Sequence, residues 1–475
     1  MIRKVMLLNP NYTWLGGRTW MLQPIGLIIL KSQLERKYDT VLYDANFSGD
    51  TIEQSGEVLL REAPDIVMVT SSSTDRIEEV ALACSIVRDT LPHTSIILGG
   101  VIPTVLPEAV SSLIDADIYF GGEADTSVAG LVDGMMPYGS YRTYDDYAGN
   151  AIVEDLDLPL PITYDNIIGY DGGITLLDYG MVVNKYSPGS VPAKFPYSNI
   201  ISSRGCPIGC CFCAAETVSG KRMRFRSHHN VCSELKMLYD GGIRSFIFLD
   251  DHFLARRSRA IDIMSYIGSL GDATWKAVNV SVWSLDEETM EAMLKSGCNF
   301  ITVSLESGVQ RVIDEIIGKP VDIQDAKAKL RLARSMGFDI VVNFVIGFPD
   351  ETYNEVMSTV EFASSLDVDL VNFHIATPLP KTRLERECIE RGIILPNSTG
   401  LGSGYTVGSI STNEFTAEQI TDIRYREWDR INFSSDNRKR TIARLCGITM
   451  EELEAWRIRT NDTRGNTTAT MEVKA

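Results

Sequence analysis

Arg204-Gly205-Cys206-Pro207-Ile208-Gly209-Cys210-Cys211-Phe212-Cys213 places four of the chain's nine cysteines within eight positions. Cys206, Cys210 and Cys213 form a C-x3-C-x2-C array that follows a short strand-like run, Ser198 to Ser203. Clustered thiolates are soft ligands and point to a metal centre. A structural zinc wants four ligands and usually takes paired C-x2-C, so a zinc reading needs Cys211, His228 or His229 as its fourth. An iron–sulfur cluster held by only three thiolates leaves one iron open to a non-protein ligand. Both readings place a site at the end of a strand, and the rest of the chain must say which sheet that strand joins.

Downstream, apolar strand-like runs alternate with amphipathic helical stretches. The strands are Ser245–Leu249, Trp275–Val280, Phe300–Leu305, Ile340–Ile346 and Leu370–Ile375, and the helices are Asn230–Tyr239, Asp286–Lys295, Ile323–Met336 and Asn354–Leu366. With Ser198–Ser203 this makes six strand–helix units in about 190 residues, too few for a full eight-stranded barrel. Polar punctuation follows the strands: Asp250-Asp251-His252-Phe253, Glu306-Ser307-Gly308, Gly347-Phe348-Pro349-Asp350-Glu351 and Pro378-Leu379-Pro380-Lys381-Thr382. The aspartate pair also suits a helix N-cap.

Upstream, Val5–Leu8, Val41–Asp44, Asp65–Thr70, Ser95–Leu98 and Asp117–Phe120 read as buried strands between helices, with apolar residues at 25, 27, 28, 30 and 34 marking the first helix. This alternation predicts a doubly wound parallel sheet. Ligands bind such sheets at the carboxyl ends of the strands. There the chain places Asn9-Pro10, Ser71-Ser72-Ser73-Thr74, Gly99-Gly100 and Gly121-Gly122. Tight turns alone would explain any one glycine pair; the set together predicts a ligand face. The G-x-G-x-x-G fingerprint is missing after the first strand, which argues against a nicotinamide or flavin.

A chain of 475 residues needs two or three cores. Its net charge of −18 argues against a nucleic-acid partner. The sequence contains no apolar run of membrane-spanning length and no signal-peptide pattern at Met1–Leu8. The remaining cysteines are scattered singly, which suits a reducing cytosol. Residues 136–195 are rich in Tyr, Asp, Gly and Pro and read as a linker, with Tyr164, Tyr170 and Tyr179 packing at a domain seam. In the tail, Phe415–Asn432 and Thr449–Ile458 read as helices, Gly400–Thr412 as a loop, and Asn461–Ala475 as a polar terminus. Arg438-Lys439-Arg440 reads as a solvated helix face, and Tyr405 and Trp428 are candidates to shape a pocket.

Two resemblances join these observations. Pro24-Ile25-Gly26-Leu27, Pro64-Asp65-Ile66-Val67, Leu98-Gly99-Gly100-Val101-Ile102-Pro103-Thr104 with Pro107-Glu108, and Gly121-Gly122-Glu123 resemble the cobalamin-binding domain that precedes many radical SAM enzymes. The C-x3-C-x2-C spacing, the flanking Arg204-Gly205, the aromatic Phe212 and the strand-end motifs resemble the radical SAM domain itself. The implied fold is a Rossmann-like cobalamin-binding domain (1–135), a linker (136–195), a partial (β/α)6 TIM-type barrel (196–387) and a mostly helical C-terminal region (388–475). Lys381 stands where the family has glycine, which puts a tight loop there in question.

The resemblance also implies cofactors and roles. Cys206, Cys210 and Cys213 would hold a [4Fe-4S] cluster whose open iron is chelated by S-adenosylmethionine (SAM). Phe212 and the backbone at Gly347 would lie beside adenine, with Asp250, Asp251, Glu306 and Ser307 near the rest of SAM. Cobalamin would meet Ser71, Ser72, Ser73, Thr74, Gly99, Gly100, Val101, Pro103, Gly121, Gly122 and Glu123. The D-x-H-x-x-G motif is absent and the first 150 residues contain one histidine, His93, so no histidine ligand to cobalt is expected. Reductive cleavage of SAM would give a 5′-deoxyadenosyl radical that abstracts hydrogen from a small-molecule or peptide substrate at the domain seam. An electron donor such as flavodoxin or ferredoxin is implied. The expected reaction is methylation of an unactivated carbon, or of phosphorus, from methylcobalamin. A cyclase or rearrangement enzyme shares every motif used. A non-catalytic cobalamin or redox sensor would not need the Glu306-Ser307-Gly308 and Gly347–Glu351 segments.

Overall fold

A computed structural model describes residues 4–16, 23–134, 138–158, 162–396 and 405–462. Pro159-Leu160-Pro161, the first half of the Gly400–Thr412 loop and nearly all of the polar terminus lie outside the described residues. The chain divides into two compact units, with the main boundary between Val182 and Val183.

The first unit is a parallel sheet built from β1 (Lys4–Asn9), β2 (Asp39–Asp44), β3 (Ile66–Ser71), β4 (Ser95–Gly100) and β5 (Ile118–Phe120), with short edge strands β6 (Ser140–Tyr141) and β7 (Ile167–Ile168). The strand order is β6-β5-β4-β3-β1-β2-β7. β1 pairs with both β2 and β3, so the order reverses at β1/β3 and leaves a crevice at their carboxyl ends, the usual ligand position of such sheets. The central strands are continuous apolar runs, such as Val5–Leu8 and Ile66–Val69, because helices cover both faces of a parallel sheet.

Much of the segment read as a linker belongs to this sheet. β6 runs antiparallel to β5, and β7 pairs in parallel with β2. Both are two-residue strands without periodicity of their own, so their register comes from the sheet edges they cover. Tyr179 is buried, and its hydroxyl donates to Asp44 Oδ2 at 2.5 Å; Tyr170 donates to Glu57 at 2.8 Å. These tyrosines anchor the segment to its own unit.

The second unit contains six parallel strands: β8 (Tyr197–Ile200), β11 (Ser245–Phe248), β12 (Thr274–Ala277), β13 (Phe300–Glu306), β14 (Asp339–Ile346) and β15 (Leu370–Ile375). A hairpin of β9 (Ser203–Arg204) and β10 (Arg224–Phe225) follows β8. The six form two three-stranded arcs, β12-β11-β8 and β13-β14-β15, joined by a parallel bridge between Val280 and Val303. This is the open (β/α)6 arrangement. The first strand stops at Ile200, short of Ser203, because Ser203 pairs instead with β10 in the hairpin.

The C-terminal helices close the edge of β15. Asn432, on the helix Ala417–Asn432, accepts the Val371 N–H at 2.9 Å and donates to the Val371 carbonyl at 2.7 Å, as a neighbouring strand would. Trp428 packs in the core with Phe433 and Trp456. The basic run lies on a further helix, Asp436–Cys446, as the reading of a helix face expects, but only Arg440 is exposed while Arg438 and Lys439 are half-buried. Among the described residues no helix is long and apolar enough to cross a membrane.

Candidate functional site

The cysteine loop lies between the two strands of the β9/β10 hairpin. Gly205 takes φ +93°, and a Cβ there would stand 2.4 Å from the Arg222 carbonyl oxygen, so only glycine can open the loop. Asp250, at the end of β11, holds the base of the loop. Its carboxylate accepts the Ser202 N–H (3.1 Å), the Ser202 hydroxyl (2.7 Å) and the Ser203 hydroxyl. It is buried, and these three contacts make Asp250 a brace for the loop. Behind the loop, the Cys211 N–H donates to Ile317 O at 3.0 Å and its carbonyl accepts from Leu384 N at 2.9 Å. The Cys211 thiol lies in an apolar cluster with Val312, Phe348 and Leu384, turned away from a metal.

The donor set fits an iron–sulfur cluster. Cys206, Cys210 and Cys213 sit close enough to influence one another's ionisation, the Cys206 sulfur accepts the Ile208 N–H, and the Cys213 sulfur accepts the Ala215 N–H. Burial pushes the Cys210 thiol up to about 12, and the Lys319 ammonium opposes this. Among the described residues no three His, Cys, Asp or Glu side chains are grouped to hold a single ion. His228 and His229 are exposed at the start of the helix His228–Asp240. Three neighbouring thiols, with Cys211 packed in the apolar cluster and His228 and His229 exposed on a helix, suit a cluster held by three thiolates.

Around the loop stand groups suited to a zwitterionic nucleoside ligand. The Asp251 carboxylate accepts the Gly205 N–H and is near enough to Cys206 and Cys213 to affect them. Glu306 closes β13 at a bulge and adopts φ +72°, a left-handed conformation costly for any residue with a Cβ. What holds it is Lys319, whose ammonium donates to Glu306 Oε1 at 2.6 Å and to Ser304 O at 2.7 Å. Lys319 follows a π-helical turn, Val312–Ile317, and Gly318 at φ +77°. π-turns often occur at functional sites. Phe212 lies 5.8 Å from Phe348, ring centre to ring centre. Glu351 is fully buried, and its Oε2 accepts the N–H groups of Gly347 (2.7 Å) and Phe348 (3.2 Å), fixing that turn.

The sequence did not mark Lys319 or give His252 a role. His252 is buried against Ser281 Oγ, 3.3 Å from Nδ1, and Trp283. The one available signal for it was its place in the Asp-Asp-His-Phe strand end. Two of the expected contacts also have structural duties. The Ser307 hydroxyl is buried in a 3.0 Å pair with Thr359, and Gly347 is glycine because a Cβ would meet Ile420 at 2.9 Å.

In the first unit the glycines likewise separate by duty. Cβ atoms on Gly100 and Gly122 would strike the Ser71 and Ala151 carbonyl oxygens at 2.3 and 2.2 Å, so both serve backbone packing. Gly121 is closed in by Asn150 at 2.5 Å. The Ser71 hydroxyl bridges Gly99 O and Ile102 N, Glu123 holds the Val153 N–H, and the Pro103 carbonyl accepts the Tyr141 hydroxyl. Thr74 is buried in a short turn and Ser73 is half-buried. Of the four strand-end glycines Gly99, Gly100, Gly121 and Gly122, Gly99 opens on free space, with no atom within 4 Å of a Cβ position. With exposed Ser72 and half-buried Val101 it lies at the carboxyl ends of β3 and β4, where a corrin would need open backbone. His93 sits in the turn before β4, at the opposite edge.

Comparison with known proteins agrees with the fold of both units. The Radical SAM superfamily model matches residues 200–363, and the B12 binding domain model matches 21–132. The uncharacterized methyltransferase PH0819 of Pyrococcus horikoshii is 30% identical over 419 residues, covering 84% of this chain and 85% of that protein. The cytidylyl-2-hydroxyethylphosphonate methyltransferase of Streptomyces wedmorensis is 24% identical, covering 89% and 88%. Among solved structures, the radical SAM methyltransferase TsrM of Kitasatospora setae, with cobalamin and a [4Fe-4S] cluster bound, aligns with TM-score 0.68 and 19% identity over 82% of this chain and 78% of that one. OxsB, with aqua-cobalamin and SAM bound, aligns with TM-score 0.71 and 15% identity over 97% and 72%. The chain therefore belongs to the cobalamin-binding, methyltransferase-like radical SAM enzymes, and its cofactors are a [4Fe-4S] cluster, SAM and cobalamin.

Proposed function

We propose that the enzyme methylates an unactivated carbon, or phosphorus, of a small-molecule or peptide substrate by a radical route. The observation that carries this is the grouping of Asp251, the Glu306–Lys319 pair and the Phe212–Phe348 pair around a loop of three thiols. A cluster alone would need none of these groups; a cluster that binds SAM needs an anion, a cation and an aromatic surface beside it. When bound, cluster and SAM supply one-electron chemistry at carbon, and cobalamin supplies the methyl group.

The chain's own residues place and shield the reactants. Asp251 takes the ammonium of the methionine moiety through a charge-assisted hydrogen bond. Lys319 offers the matching cation for its carboxylate, and Glu306 fixes Lys319 in place. Phe212, on the cysteine loop, and Phe348, on a turn that Glu351 keeps rigid, would flank the adenine. In the barrel interior, Asn372 donates to Asn343 Oδ1 at 3.0 Å and Asn343 to Ser304 Oγ at 3.4 Å. This neutral polar rung lines the space below Glu306.

The test is anaerobic reconstitution with iron, sulfide, cobalamin, SAM and a chemical reductant. The expected result is 5′-deoxyadenosine from the wild type and none from Cys206→Ala. Equal amounts from both would overturn the radical assignment. With a substrate in hand, a product heavier by one methylene establishes methylation, and a product with no added carbon refutes it.

A further inference from the structure

Residues 220–229 read Gly-Lys-Arg-Met-Arg-Phe-Arg-Ser-His-His, four cations and two histidines without an acid, in a chain of net charge −18. The structure divides the run. Arg226 is buried and committed to Glu234 at 2.5 Å and Asn230 at 2.7 Å, and Arg224 is buried on β10. Lys221, Arg222, His228 and His229 are exposed. Exposed Arg256 joins them, its guanidinium 4.3 Å above the Phe225 ring. Glu216 offsets part of Lys221 at 3.0 Å. The next cation along, Arg257, is already matched by Asp286 and Glu288.

This strip abuts the cysteine loop. The Cys206 N–H donates to Gly220 O at 3.1 Å, Arg224 pairs with Arg204, and Gly205 lies against the Arg222 carbonyl. Electron transfer weakens steeply with distance, so a protein that reduces the cluster must dock on surface next to these thiolates. Low-potential flavodoxins and ferredoxins are acidic, and a chain of this net charge repels them everywhere except at a local cationic face.

We propose that Lys221, Arg222, His228, His229 and Arg256 form the docking face for an acidic one-electron carrier protein. The inference rests on the cluster assignment above. At each encounter the carrier's reduced flavin or iron–sulfur centre loses one electron and the cluster gains it; no bond or proton moves at the face.

The test uses the full reconstituted chain, with reduced flavodoxin as the probe. Calorimetry gives its affinity and stopped-flow absorbance gives the rate of cluster reduction, at low and high salt. Dithionite serves as a small reductant that needs no docking face. Lys221→Glu with Arg222→Glu is expected to weaken flavodoxin binding and slow reduction about tenfold or more, and added salt to weaken wild-type binding. Dithionite reduction should be the same in both proteins. Affinity within about twofold of wild type, or binding indifferent to salt, overturns the docking face. Failure of dithionite to support SAM cleavage in the wild type overturns the cluster reading instead. Arg256→Glu lies outside the loop and repeats the measurement if the double variant loses iron; weakened binding with iron retained supports the face, and unchanged binding overturns it.

Discussion

Glu351 is a carboxylate with no solvent and only two amide donors; its Oε1 has no hydrogen-bond partner. Burial pushes its carboxyl from 4.5 up to about 7. An acid raised in this way is protonated more readily folded than unfolded. Its stabilising share is complete below pH 4.5 and is lost as pH climbs through about 7. Glu351→Gln keeps an oxygen for the Gly347 and Phe348 amides and removes the titration. Urea denaturation across that window should show the wild type losing ground to the variant by up to about 3 kcal/mol. Lys381 gives a second test. It adopts φ +65°, so the loop expected only of glycine forms around a lysine, at a cost in strain. Lys381→Gly should therefore be neutral or stabilising by up to about 1 kcal/mol, despite the added freedom of the unfolded chain. A clear loss of stability would show that the lysine side chain contributes more than its backbone costs.

Elements were legible where a run of residues carries its own period. All six barrel strands and the five central strands of the first sheet were readable, because buried parallel strands are continuous apolar runs between helical patterns. β6 and β7 were not, since two residues have no period and are made strands by their neighbours. The helix Asp436–Cys446 showed only through its basic run, and its bounds were hidden because its first turns, Asp-Asn-Arg-Lys-Arg, carry no apolar repeat. The cysteines and Asp251 could be found because a motif surrounds them. Lys319 could not, because its position depends on a π-turn and on a partner 13 residues away. Asn432 shows the same dependence at the edge of β15. Removing its side chain leaves the Val371 N–H and carbonyl buried without their partner. Asn432→Ala should cost about 2–3 kcal/mol in chemical denaturation, more than truncation of a surface helix residue. A cost below about 0.5 kcal/mol would mean that the C-terminal helix is not the cover of this edge.

At the scale of the whole molecule, the two cofactor sites draw on separate residues. The proposed cobalamin contacts Ser72, Gly99 and Val101 lie in one unit, and the proposed cluster and SAM contacts, residues 206 to 351, in the other. The glycines of the first unit let this separation be tested without confusing binding and folding. Gly99→Ala adds a methyl group to open space and should leave thermal stability within about 1 kcal/mol of wild type. It should nevertheless lower cobalamin retention on gel filtration, because the methyl would occupy the space proposed for the corrin. Gly122→Ala, at φ +93° with a carbonyl oxygen 2.2 Å from the new carbon, should disrupt the first unit itself. Iron content should stay near wild type in Gly99→Ala, and cobalamin retention should stay near wild type in the triple Cys206, Cys210 and Cys213 to alanine variant. Cobalamin retained in full by Gly99→Ala would move the proposed contacts elsewhere on the sheet. Loss of iron in Gly99→Ala would show that the two sites depend on one another for assembly, which the disjoint residue sets do not predict.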